Sequence, residues 1–306
     1  MTDTSQSNLI ISDSKGAWFR ATILFILALI GTVGMWSVVV FIPDIEREFN
    51  LDRGTSSLLY AFTMIGFGFG TVVIGKIYDK FGIKKPILLA TFVLIVCYYF
   101  YSIFPFYWQF LMLQFFMGFA ASTFFGPAMA DISNYFNKQR GFALSIVASA
   151  NYVAGATWPL LIGYFLKFID WRTTHFWISI CLLIMIPLIL LLKNASVDES
   201  KFQDTKQRYK DIKLNLSNNQ IQVLLMLAGI CCCVAMAMPQ VHMVALCVDS
   251  GFGLQVGTEI LAVMLYSGML SRIVFGMISD RIGPVLTLLL GSFLQMVSLT
   301  FFLPFS

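Results

Sequence analysis

Arg272 is the residue with the most distinctive chemistry. It lies well inside a long apolar run, where a charge is costly and is usually kept for a purpose. Its guanidinium offers a fixed two-pronged donor edge that suits a carboxylate or another planar anion. A structural ion pair, or a side chain reaching back to the polar end of its segment, is the alternative. Trp36, Gln114, Asn151 and His242 are polar or amphipathic groups in comparable runs. Each can serve as a ligand in a cavity, but helix-to-helix hydrogen bonding is the commoner use of a lone Asn or Gln. Trp36 has a packing alternative, and His242, which follows Pro239, either handles a proton or sits at an interface. His175 falls at a loop edge and is assigned no role. The two histidines are far apart, and HExxH and GxSxG are both absent, so the chain is not expected to be an enzyme and no cofactor or metal is assigned. The six cysteines lie in apolar runs without CxxC spacing. Cys231, Cys232 and Cys233 are consecutive and, on a helix, point about 100° apart, which suits apolar filler better than a shared ion.

Membrane-spanning helices must position these residues. Of 306 residues 58% are hydrophobic and 12% charged, and mean hydropathy is +0.81, whereas soluble domains carry about 25% charged residues. The +4 balance is too small and dispersed for nucleic acid; the expected surroundings are a lipid bilayer. Apolar runs of about 20 residues divide the chain into nine expected spans: Ala21 to Ile42, Ser56 to Tyr78, Pro86 to Phe104, Trp108 to Ala130, Gly141 to Phe168, Thr173 to Leu192, Ile221 to Val248, Thr258 to Ser279 and Pro284 to Leu303. The expected organisation is a cytoplasmic tail over 1–20, a six-helix bundle over 21–192, a charged linker over 193–220 and three further helices over 221–306. With the N-terminus cytoplasmic, fifteen Lys/Arg fall on that side and four on the other, a positive-inside pattern for a multi-pass cell-membrane protein. The remaining basic residue is Arg272, about 10 Å inside its span at the helical rise.

Two loops repeat. Gly75-Lys-Ile-Tyr-Asp79-Lys80-Phe-Gly82-Ile-Lys84-Lys85 follows span two, and Gly276-Met-Ile-Ser-Asp280-Arg281-Ile-Gly283 follows span eight, each matched position offset by 201 residues. The chain therefore holds two related halves, spans seven to nine repeating one to three. Glycines at these places allow close helix approach and tight reversal, while the acid and adjacent base can cap a helix start or pair across to the other half.

These loops resemble the G-x-x-x-D-R/K-x-G signature of the major facilitator superfamily of secondary transporters, and the resemblance extends over essentially the whole chain. Three further stretches resemble its monocarboxylate-porter and oxalate/formate-antiporter branch: Tyr135 to Ala143, Asn151 to Pro159, and Ser271-Arg272 through Gly276. The resemblance implies an all-α major facilitator fold, a six-helix N-terminal bundle plus the first three helices of the C-terminal one. It also implies alternating access around a small organic anion, with Arg272 as clamp and Asp79 and Asp280 as gating acids. The acidic signature of the animal carriers' first helix is missing, and Gly268 stands where they place an acid one turn before the arginine. Gly155-x-x-x-Pro159-x-x-x-Gly163 loosely resembles an antiporter pattern, but close packing and a kink account for it equally. Superfamily carriers have twelve spans, so a shortened, transport-incompetent fragment is the competing expectation, and a monomer is expected in either case. Asp131, Asp249 and Glu259 lie at span ends, so no coupling-ion site is assigned.

Overall fold

The computed structural model describes residues 13–192 and 217–302. Among them, nine helical stretches are long and apolar enough to cross a membrane, and the chain is a polytopic all-helical protein.

The first stretch is α1 (Lys15–Gly31) followed, after Thr32, by α2 (Val33–Phe49). Helix formation starts earlier than the apolar run. Ser14 caps α1, its hydroxyl accepting from the Ala17 N–H at 3.3 Å, so Lys15 to Arg20, expected as solvated tail, form the first turns of the helix. The linker expected over 193–220 lies outside the described residues up to 216; from Asn218 the chain is helical.

The next spans are α3 (Arg53–Phe81), α4 (Lys84–Ile103), α5 (Tyr107–Ala121) running through a 3₁₀ turn into α6 (Gly126–Ser133), and α7 (Arg140–Phe165). The sixth is α8 (Trp171–Cys181), which continues through a second 3₁₀ turn into α9 (Met185–Leu191). Aspartates start two of them. Asp52 caps α3 and Asp170 caps α8. Hydrogen bonds from the Thr55 and Thr173 side chains, joined by backbone N–H donors, hold the two carboxyls below the usual range. Gly82, at φ +71°, ends α3 in a backbone region that other residues adopt only with strain.

One compact unit contains Ile10–Asn194 and Ala262–Asp280. Within it α3 packs on α5, α7 lies against α1 and α2, and α4 against α5 and α8. The α3–α5 approach is set by glycines. A Cβ at Gly66 would run into the Phe115 carbonyl, one at Gly118 into the Thr63 carbonyl, and one at Gly70 would come within 2.6 Å of the Phe119 carbonyl oxygen. Without a hydrophobic drive between helices in lipid, such close backbone contact is what small residues provide. Away from the core, Phe69, Phe92, Trp177 and Leu190 are exposed, as lipid-facing side chains are.

A second unit contains, among the described residues, α10 (Asn218–Asp249), the first turns of α11 (Gly253–Ile282) up to Leu261, and α12 (Pro284–Phe302). Here Gln295 Nε2 donates to the Cys232 carbonyl at 3.3 Å.

Candidate functional site

The candidate site is organised around α7, which presents two adjacent stripes. Asn151 and Gly155, one turn apart, face α2. The Trp36 indole lies so close to Gly155 that a Cβ there would sit 2.5 Å from the ring, and its Nε1–H donates to Asn151 Oδ1 at 3.0 Å. A third contact to the α1–α2 stretch, Trp158 Nε1–H to the Leu29 carbonyl at 2.9 Å, follows two turns after Asn151. Of the candidate ligands, Trp36 and Asn151 are thus brought together.

The other stripe, through Gly141, Ser145, Ala148 and Tyr152, receives the Ala262–Asp280 part of α11. Contacts run antiparallel along it. The Thr157 and Tyr266 hydroxyls are 3.0 Å apart. Gly268 faces the Tyr152 ring, and Gly276 faces Ser145 so closely that neither position has room for a Cβ. Arg272 lies between these glycines. Its guanidinium carbon sits 4.1 Å above the centre of the Tyr152 ring, and Nη1 donates to the Ala148 carbonyl at a long 3.4 Å. Among the described residues no carboxylate lies within ion-pair distance of Arg272. A guanidinium held by a ring face and one carbonyl keeps most of its in-plane donors for a planar anion.

At the end of this stripe Asp280 caps α7. Its two carboxylate oxygens accept from the Gly141 N–H at 2.7 Å and the Phe142 N–H at 2.9 Å, groups that have no partner within the helix and lie at its positive end. The preceding loop is held by a second carboxylate. Asp13 accepts from the N–H groups of Asn137, Lys138 and Gln139 at 3.2–3.4 Å. Acids far apart in sequence therefore converge on one loop, and Asp13 was hidden in what reads as a polar tail.

The two copies of the repeated loop are used differently. Gly276 is packed and Asp280 bonded, whereas Gly75 has open space around it and Asp79 is exposed. Lys80 reaches over the Phe81 ring at 5.3 Å, and Lys84 opens α4. The second glycines match: Gly82 and Gly283 both have positive φ, at 71° and 87°. Arg281 is exposed and belongs to the second unit. Replacing Asp280 by alanine is expected to remove about 1 kcal/mol of capping, seen as roughly fivefold faster amide exchange at Gly141 and Phe142 by hydrogen-exchange mass spectrometry. Asp79→Ala is expected to leave those amides unchanged.

Gln114 lies elsewhere. It is 1% exposed, accepts from the Thr63 hydroxyl at 2.8 Å and donates to the Tyr101 hydroxyl at 3.3 Å, tying α5 to α3 and α4. The side chain of His242, on α10, lies outside the described residues. His175 is not at a loop edge. It occupies the second turn of α8, buried and stacked on Tyr101 with ring centres 4.4 Å apart. Its Nδ1 is 2.8 Å from the Trp171 carbonyl. Beside it, Arg172 pairs with Glu48 at 2.5 Å and donates to the Phe104 carbonyl at 2.7 Å.

A further departure from the sequence reading is Arg20. Counted there among the flanking charges, it is 5% exposed inside the helix, as is Asp131 on α6. The two form a forked ion pair, Nε to Oδ2 at 2.6 Å and Nη2 to Oδ1 at 2.9 Å, and the guanidinium also stacks 4.7 Å from the Tyr135 ring. Arg272 is accordingly not the sole basic residue within a span.

The sequence profile of the Major Facilitator Superfamily matches residues 24–306. The chain belongs to that superfamily. The nine apolar helices among its described residues are those of a multi-pass membrane protein of this transporter family. Among its relatives, the agnestins efflux protein AgnL12 of Paecilomyces divaricatus is 24% identical over 250 residues, covering 80% of this chain and 56% of the relative. The MFS-type transporter pynF of Aspergillus niger is 27% identical over 221 residues, 70% of this chain and 49% of the relative. A fujikurins efflux protein of Gibberella fujikuroi is 33% identical over 97 residues, 31% of this chain and 21% of the relative. The chain spans about half the length of the first two relatives.

Proposed function

We propose that this protein is a secondary transporter of a small organic anion, a carboxylate, working by alternating access in the manner of the monocarboxylate and oxalate/formate branch. Arg272 is the anion clamp. The observation that carries this reading is the placement of Arg272 within a span, seated on the Tyr152 ring, with no carboxylate among the described residues in ion-pair range. Charge at that depth is costly to keep without a use. Asn151 and Trp36 contribute as a bonded pair, Asn151 keeping its amide N–H₂ for a ligand; Asp280 acts as the gating acid by holding the start of α7 in one transporter state. Efflux in the names of two relatives favours export. The distribution of basic residues, fourteen to four once the buried Arg20 is left out, favours a cell-membrane protein with a cytoplasmic N-terminus.

The test is transport in proteoliposomes, with a panel of radiolabelled mono- and dicarboxylates followed both by uptake and by counterflow. A charge-assisted hydrogen bond contributes about 1.5–3 kcal/mol. Arg272→Ala is therefore expected to cost about 10- to 100-fold in apparent affinity, at about 1.4 kcal/mol per tenfold, with membrane insertion unchanged. Undiminished carboxylate transport in that variant would remove the anion clamp.

A further inference from the structure

We propose that Tyr152 is the positioning residue of Arg272 and that Gly268 is the seat that admits its ring, so that the three residues form one device for presenting a guanidinium that no carboxylate among the described residues pairs. The proposal rests on the reading of Arg272 as the anion-binding group.

A long flexible side chain loses rotamer freedom when it binds an anion, and that loss is smaller if the chain is already held. How it is held matters. A carboxylate would take the forked donor edge that an anion needs, as Asp131 takes that of Arg20. An aromatic face instead contacts the guanidinium from below, using its flat side and leaving the in-plane donors unspent. That is the arrangement at Arg272, whose guanidinium carbon is 4.1 Å from the Tyr152 ring centre. Its hydrogen bond among the described residues, to the Ala148 carbonyl, is long at 3.4 Å.

The ring reaches this place because α11 has no side chain at 268. A Cβ there would lie 2.5 Å from Tyr152 Cε1 and 2.8 Å from Cδ1, closer than carbon atoms approach, so any larger residue displaces the ring. Gly268 is one turn before Arg272, where helical side chains share a face. A side chain at that position would therefore evict Tyr152, and an acidic one would also compete for the guanidinium.

The test reads the guanidinium directly. The purified full chain in detergent is treated with phenylglyoxal, and the fraction of Arg272 modified is followed by peptide mass spectrometry. Arg47, whose side chain is 79% exposed, serves as an internal reference. Tyr152→Leu is expected to raise the labelling rate at Arg272 roughly fivefold, within the range a partly desolvated cation–π contact supports, while Tyr152→Phe, which keeps the ring, stays within about twofold of the parent. Gly268→Ala should behave as Tyr152→Leu, and the double variant should add nothing to either. Each variant must keep the parent rate at Arg47 and elute as the same species. Equal Arg272 labelling in Tyr152→Leu and the parent, or a Tyr152→Phe that behaves as Tyr152→Leu, overturns the proposal. Labelling that follows Tyr152 while Arg272→Ala still transports carboxylates leaves the positioning role standing and removes the reading of Arg272 as the anion clamp.

Discussion

Asp131→Leu is expected to destabilise the protein by about 3–5 kcal/mol, the cost of leaving a buried guanidinium without its counter-charge. Arg20 is 5% exposed and lies over the Tyr135 ring, a contact that carries no formal charge. The double variant Arg20→Met, Asp131→Leu is expected to recover most of that loss. Forming the pair already required both charges to leave water, and replacing two buried charges with apolar groups of similar size is often neutral or stabilising. Thermal unfolding in detergent, followed by loss of the monodisperse species, checks the order: parent and double variant close together, both single variants well below. Four equal midpoints would mean that the pair contributes nothing and that water reaches Arg20. The pair ties α1 to α6, next to the loop that Asp13 and Asp280 hold. The double variant therefore separates the stability of the bundle from the setting of that loop.

Why this pair escaped the sequence reading is a matter of what a one-dimensional rule can see. Hydropathy and the count of basic residues treat a Lys or Arg near the end of an apolar run as a solvated flank, and for Lys15 and the lysines around Gly82 that treatment is adequate. Arg20 and Asp131 are 111 residues apart, and nothing local marks either as buried. The only hint was that both lie near the same expected face of the membrane with opposite charge. Asp13 escaped for a related reason, since a carboxylate in a mixed polar segment shows its use only when loop N–H groups are placed around it. His175 was misplaced because the sixth helix begins two residues before its apolar run, at an aspartate cap that the hydropathy of the run does not register.

The features that were legible are those with a period. Nine apolar runs correspond to nine membrane-length helices, because length and hydropathy suffice for a span. The 201-residue repeat singled out Asp79 and Asp280 as equivalent in sequence and both are exposed, yet among the described residues it is Asp280 that caps a helix, α7. Equivalence of sequence sets what a loop can do, and the partner within reach sets what it does. Arg272 was legible as a charge in an apolar run, but its relation to Tyr152 was not. Gly268 read as the absence of an acid, and its use as space for a ring is a fact of packing between α7 and α11.

The run Gly66-Phe67-Gly68-Phe69-Gly70 offers the sharpest test of such packing, because neighbouring glycines in one helix face opposite surroundings. Gly66 and Gly118 face each other's helix backbone so closely that a Cβ at either would fall on a carbonyl group, whereas Gly68 has nothing within 4 Å of the same position. In a helix exposed on that face, Gly→Ala is favourable by up to about 1 kcal/mol, since alanine restricts the unfolded chain and suits the helix. Gly68→Ala is therefore expected to raise the unfolding midpoint or leave it unchanged. At Gly66 the same gain is opposed by separation of α3 from α5. The obstructing atoms are backbone and cannot rotate aside, so overpacking of about 1–3 kcal/mol or more is expected. Gly118→Ala should match Gly66→Ala, and combining the two should cost less than the sum, since the first substitution already opens the crossing that the second would obstruct. Midpoints measured on the four variants in detergent decide it. If Gly66→Ala and Gly68→Ala move the midpoint in the same direction, helix propensity governs this segment and the α3–α5 crossing is looser than its geometry implies.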